Sequence, residues 1–376
     1  MKYYIIAGEA SGDLHGSRLV RAIRANDSDA IIRAWGGDLM ENEGAEIAKH
    51  YKELAFMGFT EVLLNIITIL NNIKFCKKDI IAFKPDIVVF IDYPGFNLPM
   101  AKFAKAKGFK TAYYISPQIW AWKENRIHAI KKSIDLMMVI LPFEKDFYLK
   151  WKYDVQYVGH PLMEIIHDFK QTTNTSEFRK SIKGESNKKI IAVLPGSRKQ
   201  EIKVKLPIML EASTCLQDST FIVAQAPGVD DDFIYSITKQ FPNTTIVKNQ
   251  TYHLLSIADA ALVTSGTATL ETALFGVPEV VCYKTSSLSY ALAKKIVKVK
   301  FISLVNLILN KEVVKELIQN DLQYSNICEE LNKLLYNVSI RDQLHKDYQL
   351  LKDSLVSGGN ASTNAALLIK EILDKS

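Results

Sequence analysis

One stretch constrains the fold more than any other: residues 261–281, ALVTSGTATLETALFGVPEVV. A short apolar strand runs into a turn of small residues, Thr264-Ser265-Gly266-Thr267, and a helix starts at about Ala268. Gly276-Val277-Pro278 stops that helix and a second apolar strand follows. Strand, turn, helix and strand in this order make a βαβ unit, which belongs to a parallel sheet. Small residues in the turn leave backbone N–H groups bare at the positive end of the helix, a ready anion site. Glu271 lies about one helical turn further on, where a carboxylate reaches the hydroxyls of a sugar held above the turn. An ordinary Ser or Thr helix cap with an acid in the first turn accounts for the same letters.

The rest of the chain repeats the alternation. Strand signals stand at 3–7, 30–37, 85–92, 110–115, 134–140 and 155–158, with helical segments between them. A polar passage around 168–176 reads as a linker or cap, after which strands recur at 189–194, 220–224, 244–247, 260–263 and 279–283. The tail from Asn306 reads as helical. A chain of 376 residues exceeds the usual single domain. The expectation is an α/β protein of two Rossmann-like doubly wound domains facing a central cleft, over 1–165 and 166–356.

A net charge of +6 is too weak to argue for nucleic acid, and it suits an anionic membrane surface or phosphate-bearing substrates. Cys76, Cys215, Cys282 and Cys328 are far apart and lack metal-ligand spacing, so they read as reduced core thiols of a cytoplasmic protein. The first residues run straight into a strand, so no signal peptide is expected. No window of about 18 apolar residues would span a membrane.

Four segments carry candidate chemistry. Gly8-Glu9-Ala10-Ser11-Gly12-Asp13 follows the first strand, where open α/β sheets bind ligands, and Ser11 and Asp13 can cap the next helix. Its spacing is not that of a dinucleotide turn. Asp92 ends the apolar run 87–91 and precedes Tyr93-Pro94-Gly95-Phe96-Asn97, a place for a general base or for a helix cap near Asn97. Pro195-Gly196-Ser197-Arg198 repeats the strand–turn–helix arrangement, with a guanidinium able to clamp a diphosphate or simply to pair with Glu201. The stretch 54–70 holds Phe56, Met57, Phe59, Val62, Leu63, Ile66 and Ile67, and Lys74, Lys77 and Lys78 follow it. It is too apolar all round for one buried face and reads as a surface for acyl chains or the bilayer interface, with a core helix as the other option. Asp230-Asp231-Asp232 contains an Asp-x-Asp pattern, yet Gln225-Ala226-Pro227-Gly228-Val229 separates it from its strand, so it reads as an acidic helix start.

These motifs resemble, in order and nearly end to end, those of lipid A disaccharide synthases. The resemblance rests on residues 8–13, Met57-Gly58, Ile91-Asp92, Pro94, Phe96-Asn97, Ser116-Pro117-Gln118-Ile119-Trp120-Ala121-Trp122 and Leu141-Pro142-Phe143-Glu144. It continues through Gly159-His160-Pro161, 194–198, 265–271, Ser303-Leu304, Asn306-Leu307 and Val313 with Lys315-Glu316-Leu317. It implies an inverting glycosyltransferase of the two-Rossmann-domain type (GT-B). Such an enzyme transfers 2,3-diacylglucosamine from UDP-2,3-diacylglucosamine to 2,3-diacylglucosamine 1-phosphate (lipid X), giving the β-1,6 disaccharide and UDP.

By that resemblance Asp92 is the base, Arg198 a diphosphate contact, and Glu271 and Asn306 donor-site or cleft residues. The small-residue turns (Ser11, Gly12, Asp13, Gly196, Ser197, Ser265, Gly266, Thr267) and Asn97 form the substrate surface. It further implies no cofactor or metal, and a peripheral place on the cytoplasmic face of the inner membrane of a Gram-negative bacterium, with a homodimer left open. The tail from about 357 would cross back to the first domain. Gly95 departs from relatives that carry a second acid there, so a mechanism using two carboxylates of this loop does not carry over. A UDP-sugar 2-epimerase would share the Ser-Gly-Thr…Glu unit without needing the 54–70 surface, and a non-catalytic lipid- or nucleotide-sugar-binding protein would not need Asp92.

Overall fold

The computed structural model describes residues 1–53, 66–183 and 188–375. It divides into two compact units, Met1–Pro161 with Leu355–Ser376, and Leu162–Ser354.

The first unit holds seven strands: β1 (Lys2–Ala7), β2 (Ile31–Gly36), β3 (Glu46–His50), β4 (Ile87–Ile91), β5 (Lys110–Tyr114), β6 (Leu136–Val139) and β7 (Gln156–Tyr157). They lie in the order β3-β2-β1-β4-β5-β6-β7, every pairing parallel. Every residue of β4 is buried, as a strand covered by helices on both faces requires. The chain turns from one side of the sheet to the other between β1 and β4. That is the switch point at which open parallel sheets leave a crevice beyond their carboxyl ends. The C-terminal helix Ala361–Asp374 belongs to this unit and buries Ala361, Ala365, Ala366, Ile369 and Leu373 in its core.

The second unit holds β8 (Lys189–Leu194), β9 (Ser219–Gln225), β10 (Thr244–Lys248), β11 (Ala260–Thr264), β12 (Glu279–Tyr283) and β13 (Lys315–Ile318). Their order is β10-β9-β8-β11-β12-β13, again all parallel. Its switch point falls between β8 and β11.

Two edge strands differ from the sequence expectation. β3 was not anticipated, and β13 interrupts the tail read as helical. Both are short and half-exposed at the sheet margin, so neither has the apolar run that marks a central strand. The cysteines also need correction. Cys215 and Cys328 form a disulfide across 113 residues of sequence, while Cys76 and Cys282 are free and buried. The turn after the helix Lys199–Glu211 packs on the helix Tyr324–Tyr336, a proximity that linear spacing could not reveal. No helix among the described residues is long and apolar enough to cross a membrane.

Candidate active site

In the first unit the candidate residues gather at the carboxyl ends of β1 and β4. Gly8 follows β1, and a Cβ there would come within 2.2 Å of the Tyr93 ring. Only glycine lets the loop after β4 close over the end of β1. Asp92 and Tyr93 both hold left-handed backbone, at φ 43° and 49°, a conformation costly to residues other than glycine. The surrounding frame holds it. Asn97 Nδ2 donates to the Asp92 carbonyl at 2.7 Å and to the Ile91 carbonyl at 3.1 Å, and the Tyr113 hydroxyl donates to the Asp92 carbonyl at 2.6 Å.

With its main chain fixed, the Asp92 side chain stays exposed. Even so, crowding by protein around it pushes its carboxyl up to about 6, and the negative charge of Glu9 adds to the shift. Glu9, which follows Gly8 directly, was legible only as a turn acid.

Two residues proposed from sequence to touch substrate have other work here. Asp13 is buried, and instead of capping its own helix its carboxylate accepts from Gly37 N at 2.7 Å, Met40 N at 3.1 Å and Leu39 N at 3.2 Å. It therefore caps the short helix Asp38–Asn42. Asn97 is fully buried and acts on the Asp92 loop. Ser11 is exposed at the start of the helix Ala10–Asn26, and Gly12 packs 3.1 Å (as a would-be Cβ) from the Ala7 Cβ.

The loop at 116–122 is held by Glu144, which is buried and accepts from Ser116 Oγ at 2.5 Å, Leu141 N at 2.9 Å, Ile140 N at 3.2 Å and Trp120 Nε1 at 3.2 Å. Burial pushes its carboxyl up to about 7 against those donors. Its arrangement is that of a loop anchor.

In the second unit β8 and β11 deliver the two small-residue turns side by side. Gly196 has φ +101° and Gly266 φ +135°. Ser197, Arg198, Gly266 and Thr267 are exposed, and Arg198 caps the helix Lys199–Glu211 in extended conformation. Ser265 Oγ donates to the Ile302 carbonyl at 2.8 Å. Glu271, in the helix Thr267–Phe275, accepts from the Tyr252 hydroxyl at 2.7 Å, and burial raises its carboxyl despite that bond.

Asn306 is fully buried. Its Oδ1 accepts from Val313 N at 2.7 Å and Val314 N at 3.0 Å, and its Nδ2 donates to the Val314 carbonyl and to Glu316 Oε1, each at 2.9 Å. Its carboxamide thus clasps β13 to the helix Leu304–Leu309 behind the Ser265 turn, and positions that turn rather than presenting a contact. The sequence missed Tyr252 and Lys205 because their partners lie far along the chain.

Asp230 caps the helix Asp231–Thr238 and pairs with Lys199, while Asp231 pairs with Lys248 at 2.7 Å. Among the described residues no group of three or more His, Cys, Asp or Glu side chains is placed to hold a metal ion.

The apolar stretch is described only from Ile66. Phe56, Met57, Phe59, Val62 and Leu63 lie outside the described residues, and Ile66 opens the helix Ile66–Phe83. Asn72, Cys76 and Ile80 are its buried face. Away from that face Ile67 is 72% exposed, with Leu70, Phe75 and Ile81 also exposed beside Lys74 and Lys78.

Two all-parallel Rossmann-like units with small-residue turns at their switch points define a GT-B-type fold. Solved structures share it over the whole chain: the UDP-GlcNAc 2-epimerase of Neisseria meningitidis bound to UDP-GlcNAc covers 100% of both chains with a TM-score of 0.68 at 14% identity. The glycotransferase of kitacinnamycin covers 99% of both chains with a TM-score of 0.67 at 12% identity. The family described as lipid-A-disaccharide synthetase matches residues 3–370. The lipid-A-disaccharide synthase of Syntrophus aciditrophicus (strain SB) is 37% identical over 378 residues, covering 99% of this chain and 98% of the relative. The chain belongs to the lipid-A-disaccharide synthetase family, glycosyltransferases of lipid A biosynthesis.

Proposed function

We propose that the protein transfers 2,3-diacylglucosamine from UDP-2,3-diacylglucosamine to the 6-hydroxyl of 2,3-diacylglucosamine 1-phosphate, with inversion, releasing UDP. The observation that carries this reading is Asp92: an exposed carboxyl on an immobilised loop at the switch point, tuned to about 6.

A primary alcohol becomes acidic only as it attacks, so a base within hydrogen-bonding reach lowers the barrier. In the reaction the acceptor oxygen bonds to the anomeric carbon from the face opposite the diphosphate, the bond to UDP breaks, and the proton passes to Asp92. Arg198 and the N–H groups of the 196–198 and 265–267 turns stabilise the charge that grows on the leaving diphosphate. Glu271, oriented by Tyr252, holds donor hydroxyls.

The first unit takes the acceptor and the second the UDP-sugar. The exposed apolar side chains and lysines of the helix Ile66–Phe83 support a membrane-surface role, because acyl substrates reside in the bilayer. The test is UDP release measured with and without lipid X: strict dependence on the lipid supports transfer. Release or sugar isomerisation without it would point to the epimerase chemistry named for the neighbour of like fold, and no turnover at all to a binding protein.

A further inference from the structure

The second unit contains a buried cation that the donor-site reading leaves unused. Lys205 lies two turns into the helix Lys199–Glu211, and its side chain is 1% exposed. An ammonium taken out of water must be hydrogen-bonded and paired. Its Nζ donates to Thr264 Oγ1, at the last residue of β11 just before the Ser265–Gly266 turn, and to Glu201 Oε2 at 3.2 Å. The other Glu201 oxygen accepts from Arg198 Nη1 at 3.1 Å, and the Arg198 side chain is 70% exposed.

One carboxylate therefore joins an exposed guanidinium to a buried ammonium. Gly196 completes the cluster, since a Cβ there would lie 3.1 Å from Thr264 Cγ2 and 3.6 Å from Glu201 Oε2. An exposed Arg–Glu pair by itself fixes little, because side-chain entropy and solvent screening offset the attraction. Anchoring the Glu from below changes that. Burial pulls the Lys205 pKa down while Glu201 opposes the shift.

We propose that Lys205 is a positioning residue for the donor diphosphate: it fixes Glu201, and through Glu201 the Arg198 fork, between the turns that follow β8 and β11. The inference rests on the reading of Arg198 as a diphosphate contact. Lys205 itself is enclosed and does not touch the nucleotide.

The test compares affinity for UDP with affinity for uridine, by titration of the full-length protein. A residue acting at the diphosphate changes the ratio of the two, whereas a general loss of structure lowers both together. Lys205→Met should weaken UDP about tenfold and leave uridine unchanged, the size of one charge-assisted contact. Arg198→Ala should also lower the ratio. The double variant should lose clearly less than the product of the single losses, because the two residues act through one link.

An unchanged ratio in Lys205→Met, equal losses for both ligands, or losses that multiply would each overturn the inference. An unchanged ratio in Arg198→Ala would instead sink the donor-site reading, and this inference with it. Should Lys205→Met not fold, Glu201→Gln cuts the same link: a lowered ratio supports the proposal and an unchanged one overturns it.

Discussion

Asp92 occupies a left-handed backbone conformation that is uncommon for residues with a side chain, and the loop keeps it because Asn97 and Tyr113 both donate to its carbonyl. Such strain places a carboxyl reproducibly, which a base requires. Asp92→Asn is expected to lower turnover by roughly 10²–10⁴ while UDP affinity changes little. The base works deprotonated, so kcat/KM should fall about tenfold per pH unit below about 6. Retention of near-normal turnover, or of that acidic limb, in Asp92→Asn would place the base elsewhere.

Glu279 makes a contrasting case. It is 1% exposed, and neither carboxylate oxygen has a hydrogen-bond partner among the described residues. Burial raises its carboxyl well above the ordinary range, which favours the neutral acid in the folded protein. Unfolding releases that proton, so stability falls as pH rises above the ordinary glutamate range, by about 1.4 kcal/mol per unit until the folded pKa is reached. Glu279→Met should therefore stabilise the protein by about 1–3 kcal/mol near neutral pH, and by more at pH 8 than at pH 5. Thermal melts at the two pH values measure this, and a variant that melts lower at both contradicts it.

At the scale of elements, the helix Ile66–Phe83 shows how an apolar surface can remain free. Its inner side is anchored by polar bonds: Arg33 Nε and Nη2 each donate to Asp79 at 2.9 Å, and the Tyr4 hydroxyl donates to Asp79 at 2.6 Å. Asn72, Cys76 and Ile80 complete that face. Phe75 packs its ring 5.9 Å from that of the buried Trp35, whereas Ile67 and Leu70 lie away from the docking face, so their joint replacement by Ser should reduce binding to anionic vesicles and leave the far-UV spectrum and melting temperature near wild type. Each removes about 1.5–3 kcal/mol of apolar transfer where it enters lipid. Loss of the fold instead would show the stretch to be core. The sequence reading of this stretch rested on apolar residues falling on too many sides of one helix to face inward together, and of the residues it singled out Ile67 is the one whose exposure is described.

For the whole molecule, the return of the chain to the first unit depends on a close crossing. Gly159 has φ +91°, and a Cβ on it would meet the Gly359 carbonyl at 2.5 Å. A Cβ on Gly358 would meet the Gly159 Cα at 2.4 Å. Asn364 Nδ2 ties the crossing by donating to the Val158 carbonyl at 3.1 Å. Gly159→Ala combines an unfavourable φ with a backbone clash and should cost at least about 2 kcal/mol. It should also admit protease near 355–360, and an unchanged melt with unchanged cleavage would show the crossing to be loose.

The sequence by itself determined the features that depend on neighbouring residues. The apolar runs of β1, β4, β8 and β11, the small-residue turns after them, and the acidic start of the helix at Asp231 were all legible, because period and turn chemistry act within about ten residues. With two doubly wound units they also imply that the turns meet at switch points. Only the tertiary structure decided what depends on strand order. Asp13 caps a helix that begins 25 residues later, Asn306 clasps β13, Cys215 meets Cys328, and Lys205 reaches Thr264 from 59 residues away. Each of these polar groups needs a partner once buried, and which partner is at hand is set by how the sheet is assembled, a global property that no local pattern encodes.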